Sequence, residues 1–138
     1  MLYAILCYND ENVVWNWTQE EDDAVMGRLG VVHQKLQSEG KLGPSARLLP
    51  TTAATTLRSG AEPMVIDGPF AETKEHLLGF YVVDAGDLEE ALGIARQLSE
   101  ANPSSTYEVR PVHLYLPDVR TGTPAQTPQA RIAAPESV

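Results

Sequence analysis

The sequence predicts an α+β domain in which two helices cover one face of an antiparallel sheet. Three observations carry this. Two short apolar runs, Leu2 to Tyr8 and Leu77 to Val83, have the length and composition of buried strands. Each is followed by a capped amphipathic stretch. The order that results is strand, helix, hairpin, strand, helix, strand, and a sheet with its helices on one side satisfies it with short connections.

The first strand, Leu-Tyr-Ala-Ile-Leu-Cys-Tyr, closes at Asn9-Asp10. Thr18 and Glu21 then form a capping box, each side chain able to satisfy the other residue's free backbone amide. Glu20 to Asp23 add carboxylates at the positive end of that helix. Val25, Leu29, Val32 and Leu36 make one apolar stripe along it, and Gly40 ends it. Gly27 and Gly30 each cost a helix about 1 kcal/mol relative to Ala, which suggests a close approach to the sheet or a partner. From Gly43-Pro44 a strand runs to Leu48-Leu49. Thr51 to Arg58 and Glu62 to Ile66, separated by Ser59-Gly60, form a hairpin that Asp67-Gly68-Pro69-Phe70 breaks. After the second apolar strand, Asp87 with Glu90 caps a helix whose stripe is Leu88, Ala91, Leu92, Ala95 and Leu98, stopped at Asn102-Pro103. Tyr107 to Leu116 is the last strand, and Pro111 places it at an edge or a bulge. The ordered domain therefore spans 1–116. The tail, 117–138, has no aromatic residue and accumulates Pro, Thr, Ala and Gln, so it cannot bury enough apolar surface and is expected to be largely disordered unless a partner holds it.

The chain of 138 residues holds one domain, and 43% hydrophobic residues are enough for a core. Ten Lys and Arg against 19 Asp and Glu leave a net charge of −9, which repels phosphate backbones and anionic lipid. Nucleic acid and membrane are not expected partners, and no apolar run reaches the ~20 residues of a spanning helix. One cysteine and no signal-like start fit a cytoplasmic protein. Both central strands are apolar on both faces while two helices can cover one, so a second copy is expected to cover the other, giving a homodimer.

Candidate chemistry is sparse. Asp67 either satisfies its own turn, with Phe70 anchoring the loop in the core, or faces a pocket as a general base or polar acceptor. His33 lies about 40° around the helix from Leu29, bordering the buried stripe on the side of Met26, where a half-buried imidazole can titrate near neutrality or simply pack. Asp67 and His33 are the catalytic candidates. Arg47, Phe70, Tyr81 and Arg110 are the ligand-binding candidates, the arginines because a guanidinium grips a carboxylate in two places. His76, His113 and Cys7 lack metal-ligand spacing, so no metal is expected, and no motif for a bound cofactor is present. Cys7 is read as core.

The segment Asp67-Gly68-Pro69-Phe70-Ala71-Glu72-Thr73-Lys74-Glu75, followed by Leu78-Gly79-Phe80-Tyr81-Val82-Val83, resembles the DGPF branch of the YCII-related family. Leu88 to Ala91 and Tyr107 to Val112 match as well, so the likeness covers roughly 1–116. It implies a ferredoxin-like subunit and a dimeric α+β barrel. It also implies a largely uncharacterised function, with a sigma factor as a candidate partner because many such genes lie beside sigma-factor genes. The wider family's pairing of a first-helix histidine with an acidic residue after a Gly-Pro strand is altered in this chain. His33 falls about one turn late, and Gly43-Pro44 is followed by Ser45-Ala46-Arg47. The reading that results is a dimeric domain that binds a small ligand or regulates a partner. The alternative is a cofactor-independent isomerase or lyase in which Asp67 or His33 moves a proton on a small organic substrate.

Overall fold

The computed structural model describes residues 1–117. The expectation for the tail concerns residues that, Pro117 apart, lie outside the described part. Strand β1 spans Leu2–Asn9, a short helix α1 Glu11–Val14, helix α2 Gln19–Ser38 and strand β2 Leu42–Arg47. A 3-10 turn at Thr51–Ala53 leads to β3 (Thr55–Arg58) and β4 (Met64–Asp67). Strand β5 is His76–Asp84, helix α3 Leu88–Ala101 and strand β6 Thr106–Pro111. The main sheet has the order β2-β5-β1-β6 with every neighbouring pair antiparallel, and β3 and β4 form a separate two-stranded arm.

The two apolar runs are the central strands, β1 and β5. Their register pairs Ile5 with Tyr81, Tyr3 with Val83 and Cys7 with Gly79 on one face, and Ala4 with Val82 and Leu6 with Phe80 on the other. The first face carries the core. Tyr3, Ile5, Tyr81 and Val83 meet Val25, Leu29 and Leu36 of α2 and Ala91, Ile94, Ala95 and Leu98 of α3. Ile5, Val83, Leu36 and Leu98 are fully buried, and each such side chain stabilises the fold by about 1.5–3 kcal/mol relative to exposure.

Local signals explain the helix limits. The Thr18 hydroxyl accepts from the Glu21 amide and the Glu21 carboxylate from the Thr18 amide, both at 3.1 Å. Gly40, at φ 70, takes the left-handed turn after α2, and Asp87 accepts from the Glu90 amide at 2.9 Å. Helix α1 is an addition to the expected order: Asp10, which reads as a strand terminator, caps it by accepting from the Asn12 amide.

Several expectations change. Strand β2 stops at Arg47 rather than Leu49, because Leu49 turns out to solvent before Pro50. Strand β6 is an edge strand, as Pro111 requires, but ends at that proline, and Leu114 and Leu116 are exposed. A Cβ added at Gly27 or Gly30 would meet nothing, so within one chain these glycines mark no close approach. Phe70 does not anchor its loop in the core; it is 75% exposed. The turn after β4 is instead held by the Gly68 amide donating to the Ala54 carbonyl at 2.7 Å and the Thr56 hydroxyl donating to the Gly68 carbonyl at 2.8 Å.

Candidate functional site

The cleft lies on the helix-covered face, at the end of the sheet where β1 and β5 run out of large side chains. Along β1 that face reads Tyr3, Ile5, Cys7, and along β5 it reads Val83, Tyr81, Gly79. The Cys7–Gly79 pair leaves a gap beneath α2 that Met26 and Leu29 do not fill, and a cavity of about 90 Å³ remains between them, with His33 and Tyr81 at its wall. Gly79 is required there: a Cβ would stand 2.6 Å from the Ala46 carbonyl oxygen on the neighbouring strand.

Outside the cavity, the link from α1 to α2 and the end of β2 enclose a vestibule of about 360 Å³ lined by Trp15, Trp17, Asp22, Arg47, Leu48 and Leu49 among others. Cavity and vestibule share Val14, Trp17 and Arg47, so they adjoin. Arg47 reaches this position because β2 ends there and its side chain falls on the helix side, in register with Gly79. Its guanidinium donates to the Met26 sulfur at 3.6 Å, lies 3.6 Å from an Asp22 carboxylate oxygen, and sits over Trp15 at 5.7 Å from the ring centroid.

Inside, the His33 Nε2 and the Tyr81 hydroxyl are 2.7 Å apart and share a proton-bearing hydrogen bond whose direction the imidazole tautomer sets. Both partners are neutral near pH 7. Burial lowers the His33 pKa below its ordinary value and raises that of Tyr81 well above the usual phenol range, an effect that the nearby Arg47 charge opposes only in part. Burial also pushes the Cys7 thiol up to about 12 and the Tyr107 phenol up to about 12. Cys7 is thus a packed, protonated thiol and a poor nucleophile. Tyr107 spends its hydroxyl on the Leu98 and Asn102 carbonyls at the end of α3.

Of the six candidate residues, the fold brings His33, Arg47 and Tyr81 to this cleft. Asp67 lies elsewhere, exposed at the end of β4 opposite Thr55, and among the described residues its carboxylate has no hydrogen-bond or ion-pair partner. Phe70 follows it in the same exposed segment. Arg110 projects from edge strand β6 in register with Ala4, on the face away from the helices. The tryptophans are the lining residues that sequence reasoning passed over; two of them flanking Asn16, between a strand and a capping box, were the available signal. No group of three or more His, Cys, Asp or Glu that could hold a metal ion is found among the described residues.

A second polar junction ties the arm to the sheet. Glu11, the first residue of α1, accepts from the Thr51 amide at 2.6 Å and from the Thr51 hydroxyl. The His76 Nδ1 lies 3.5 Å from the same carboxylate, and both of its ring nitrogens are buried without a well-formed hydrogen bond.

The comparisons with known proteins agree with one another. An uncharacterized protein of Rhizobium meliloti (strain 1021) is 62% identical over 119 residues, which covers 85% of this chain and 96% of that protein. The family model for the YCII-related domain matches residues 1–115, the whole of the sheet, both long helices and the arm. No helix among the described residues is long and apolar enough to cross a membrane. With the model spanning all but the last two of the described residues, the chain belongs to the YCII-related domain family.

Proposed function

We propose that this protein is a small-ligand-binding domain that works as a homodimer. One observation carries the proposal: a neutral His33–Tyr81 pair, 2.7 Å apart, stands in an apolar cavity that opens past Arg47 to solvent. Convergent polar groups in a mostly apolar concavity are the usual form of a ligand site. The sheet order and the two helices fit a ferredoxin-like subunit, and the Asp67-Gly68-Pro69-Phe70 motif supports the DGPF branch. Its uncovered face presents Leu2, Ala4, Leu6, Phe80 and Val82, and a second copy laid over that face makes the dimeric α+β barrel.

Native mass spectrometry of the purified full chain tests both halves of the proposal. The expected result is a particle of twice the 15.0 kDa chain mass that carries, or takes up, a small organic molecule. Tyr81→Phe and His33→Leu should lower that uptake. Particles of 15.0 kDa alone at micromolar concentration would remove the dimer, and uptake unchanged in both variants would remove the site.

A second reading, a cofactor-independent isomerase or lyase, is favoured by one observation. Burial keeps His33 unprotonated at neutral pH, the state a general base needs, and one placed base contributes about 10²–10⁴-fold. Asp67 would join such chemistry only from a second copy's arm. A regulatory role beside a sigma factor rests on the resemblance alone.

A further inference from the structure

We infer that the cleft takes a short-chain aliphatic carboxylate, its anionic end held by Arg47 at the mouth and its chain pointing inward toward the His33–Tyr81 pair. The inference rests on the ligand-binding reading above and adds the charge and shape of the occupant.

The charge follows from Arg47. A guanidinium has five N–H donors and prefers charge-assisted bonds of 2.7–2.9 Å, often two at once to one carboxylate. Arg47 has neither. Its Nη1 points at a thioether sulfur, a weak acceptor, and its Nη2 stands 3.6 Å from Asp22, beyond that range. Its remaining donors face solvent at the mouth, where a carboxylate can replace water. The Trp15 ring attracts the cation, 5.7 Å from its centroid, without consuming a donor. Position decides between the two charges at the mouth: Arg47 lines both the vestibule and the inner cavity, whereas Asp22 lines the vestibule alone. A ligand that reaches inward passes Arg47.

The shape follows from the cavity. At about 90 Å³ it is smaller than the ~150 Å³ apolar cavity known to admit a benzene ring. Its walls near the floor are Cys7, Leu29 and the bare backbone of Gly79, which offer a slot to a few methylene groups and no polar group for a ring substituent. Apart from Arg47 at the mouth, the cavity's polar groups are the His33–Tyr81 pair, already satisfied by each other, Tyr107, bonded to α3, and Asn102 and Ser105, bonded to one another at 3.1 Å. An apolar chain thus suits the inner end and an anion the outer one.

The chain's only two tryptophans, Trp15 and Trp17, both line the vestibule, so intrinsic fluorescence reports occupancy there. We expect butyrate to change the emission saturably, with butyramide and butylamine at least tenfold weaker and benzoate weaker than butyrate. Arg47→Gln should weaken butyrate at least tenfold and leave butyramide unchanged. Arg47→Lys, which keeps the charge but loses the fork, should fall between. Saturating butyrate should also shift the His33 ring protons in NMR spectra. Equal affinity for amide and acid, or tighter binding of the amine, would overturn the charge assignment, and tighter binding of benzoate would overturn the shape. If acid, amide, amine and benzoate all leave both tryptophan emission and His33 unmoved, the cleft reading itself fails.

Discussion

The two faces of the central sheet are built from the same strands, yet they have different fates. Odd-numbered residues of β1 and β5 (Tyr3, Ile5, Tyr81, Val83) lie under α2 and α3 and are buried. Their neighbours Leu2, Ala4, Leu6, Phe80 and Val82 are just as apolar but only half-buried. The covered face is where chemistry is possible, because helices arching over a pleated surface leave a gap wherever the strands supply small residues. Among the described residues the other face has no such cover. Covering its apolar area would contribute about 25 cal/mol for each Å² removed from water.

The largest expected effect sets the two faces against each other. Ile5→Ala should destabilise the protein by about 2–5 kcal/mol in urea unfolding, whatever the protein concentration, because Ile5 is fully buried within one chain. Leu6→Ala should cost less than half as much in dilute protein, with a loss that grows with concentration as association comes to matter. Equal, concentration-independent losses would mean that the open face is finished within the monomer.

Next in size is the cleft floor. Gly79→Ala forces a Cβ to within 2.6 Å of the Ala46 carbonyl, so it should cost about 1–3 kcal/mol and shrink the cavity. A neutral outcome in thermal unfolding would show that β2 and β5 can move apart cheaply there.

The pH dependence sharpens the contrast further, since the covered face holds a buried histidine. The folded-state pKa of His33 is lowered by burial, so the unfolded chain binds the proton more readily. Stability from this group is complete above the ordinary value of 6.5 and declines as the pH falls from there toward the folded-state value. His33→Gln should flatten that part of the profile, measured as urea midpoints at fixed ionic strength. An unchanged profile would place the acid sensitivity in another group.

The smallest effect belongs to the arm. Leu57 and Val65 form an exposed cross-strand pair, and Val65→Ser should change the stability of dilute protein by no more than about 0.5 kcal/mol. A larger loss would mean that the arm is already packed on something.

Much of this fold was legible in the sequence because its elements carry strong local signals. Thr18 with Glu21, Asp87 with Glu90, and the two apolar runs each name an element through its own residues. Helix α1 was not legible, since one turn has no periodicity and Asn9-Asp10 reads equally well as a strand end or a cap. The site was legible only in part. His33 showed itself through its place beside the apolar stripe, but its partner Tyr81 is one of several strand tyrosines, and only the register of β1 with β5 sets it beside a gap. Asp67 and Phe70 drew attention through a compact motif, yet a motif conveys a turn's identity and not its distance from α2. Trp15 and Trp17 were missed because a short polar link between elements gives no reason to expect a wall.

Glu11 is a shared anchor for two parts of the molecule. It begins the short helix that ends at Val14, a wall of the cleft, and its carboxylate grips Thr51, where the arm springs from the body. One carboxylate thus fastens the root of the arm to the helix whose last residue walls the cleft, so a change at either place is felt by a shared hydrogen-bonded anchor.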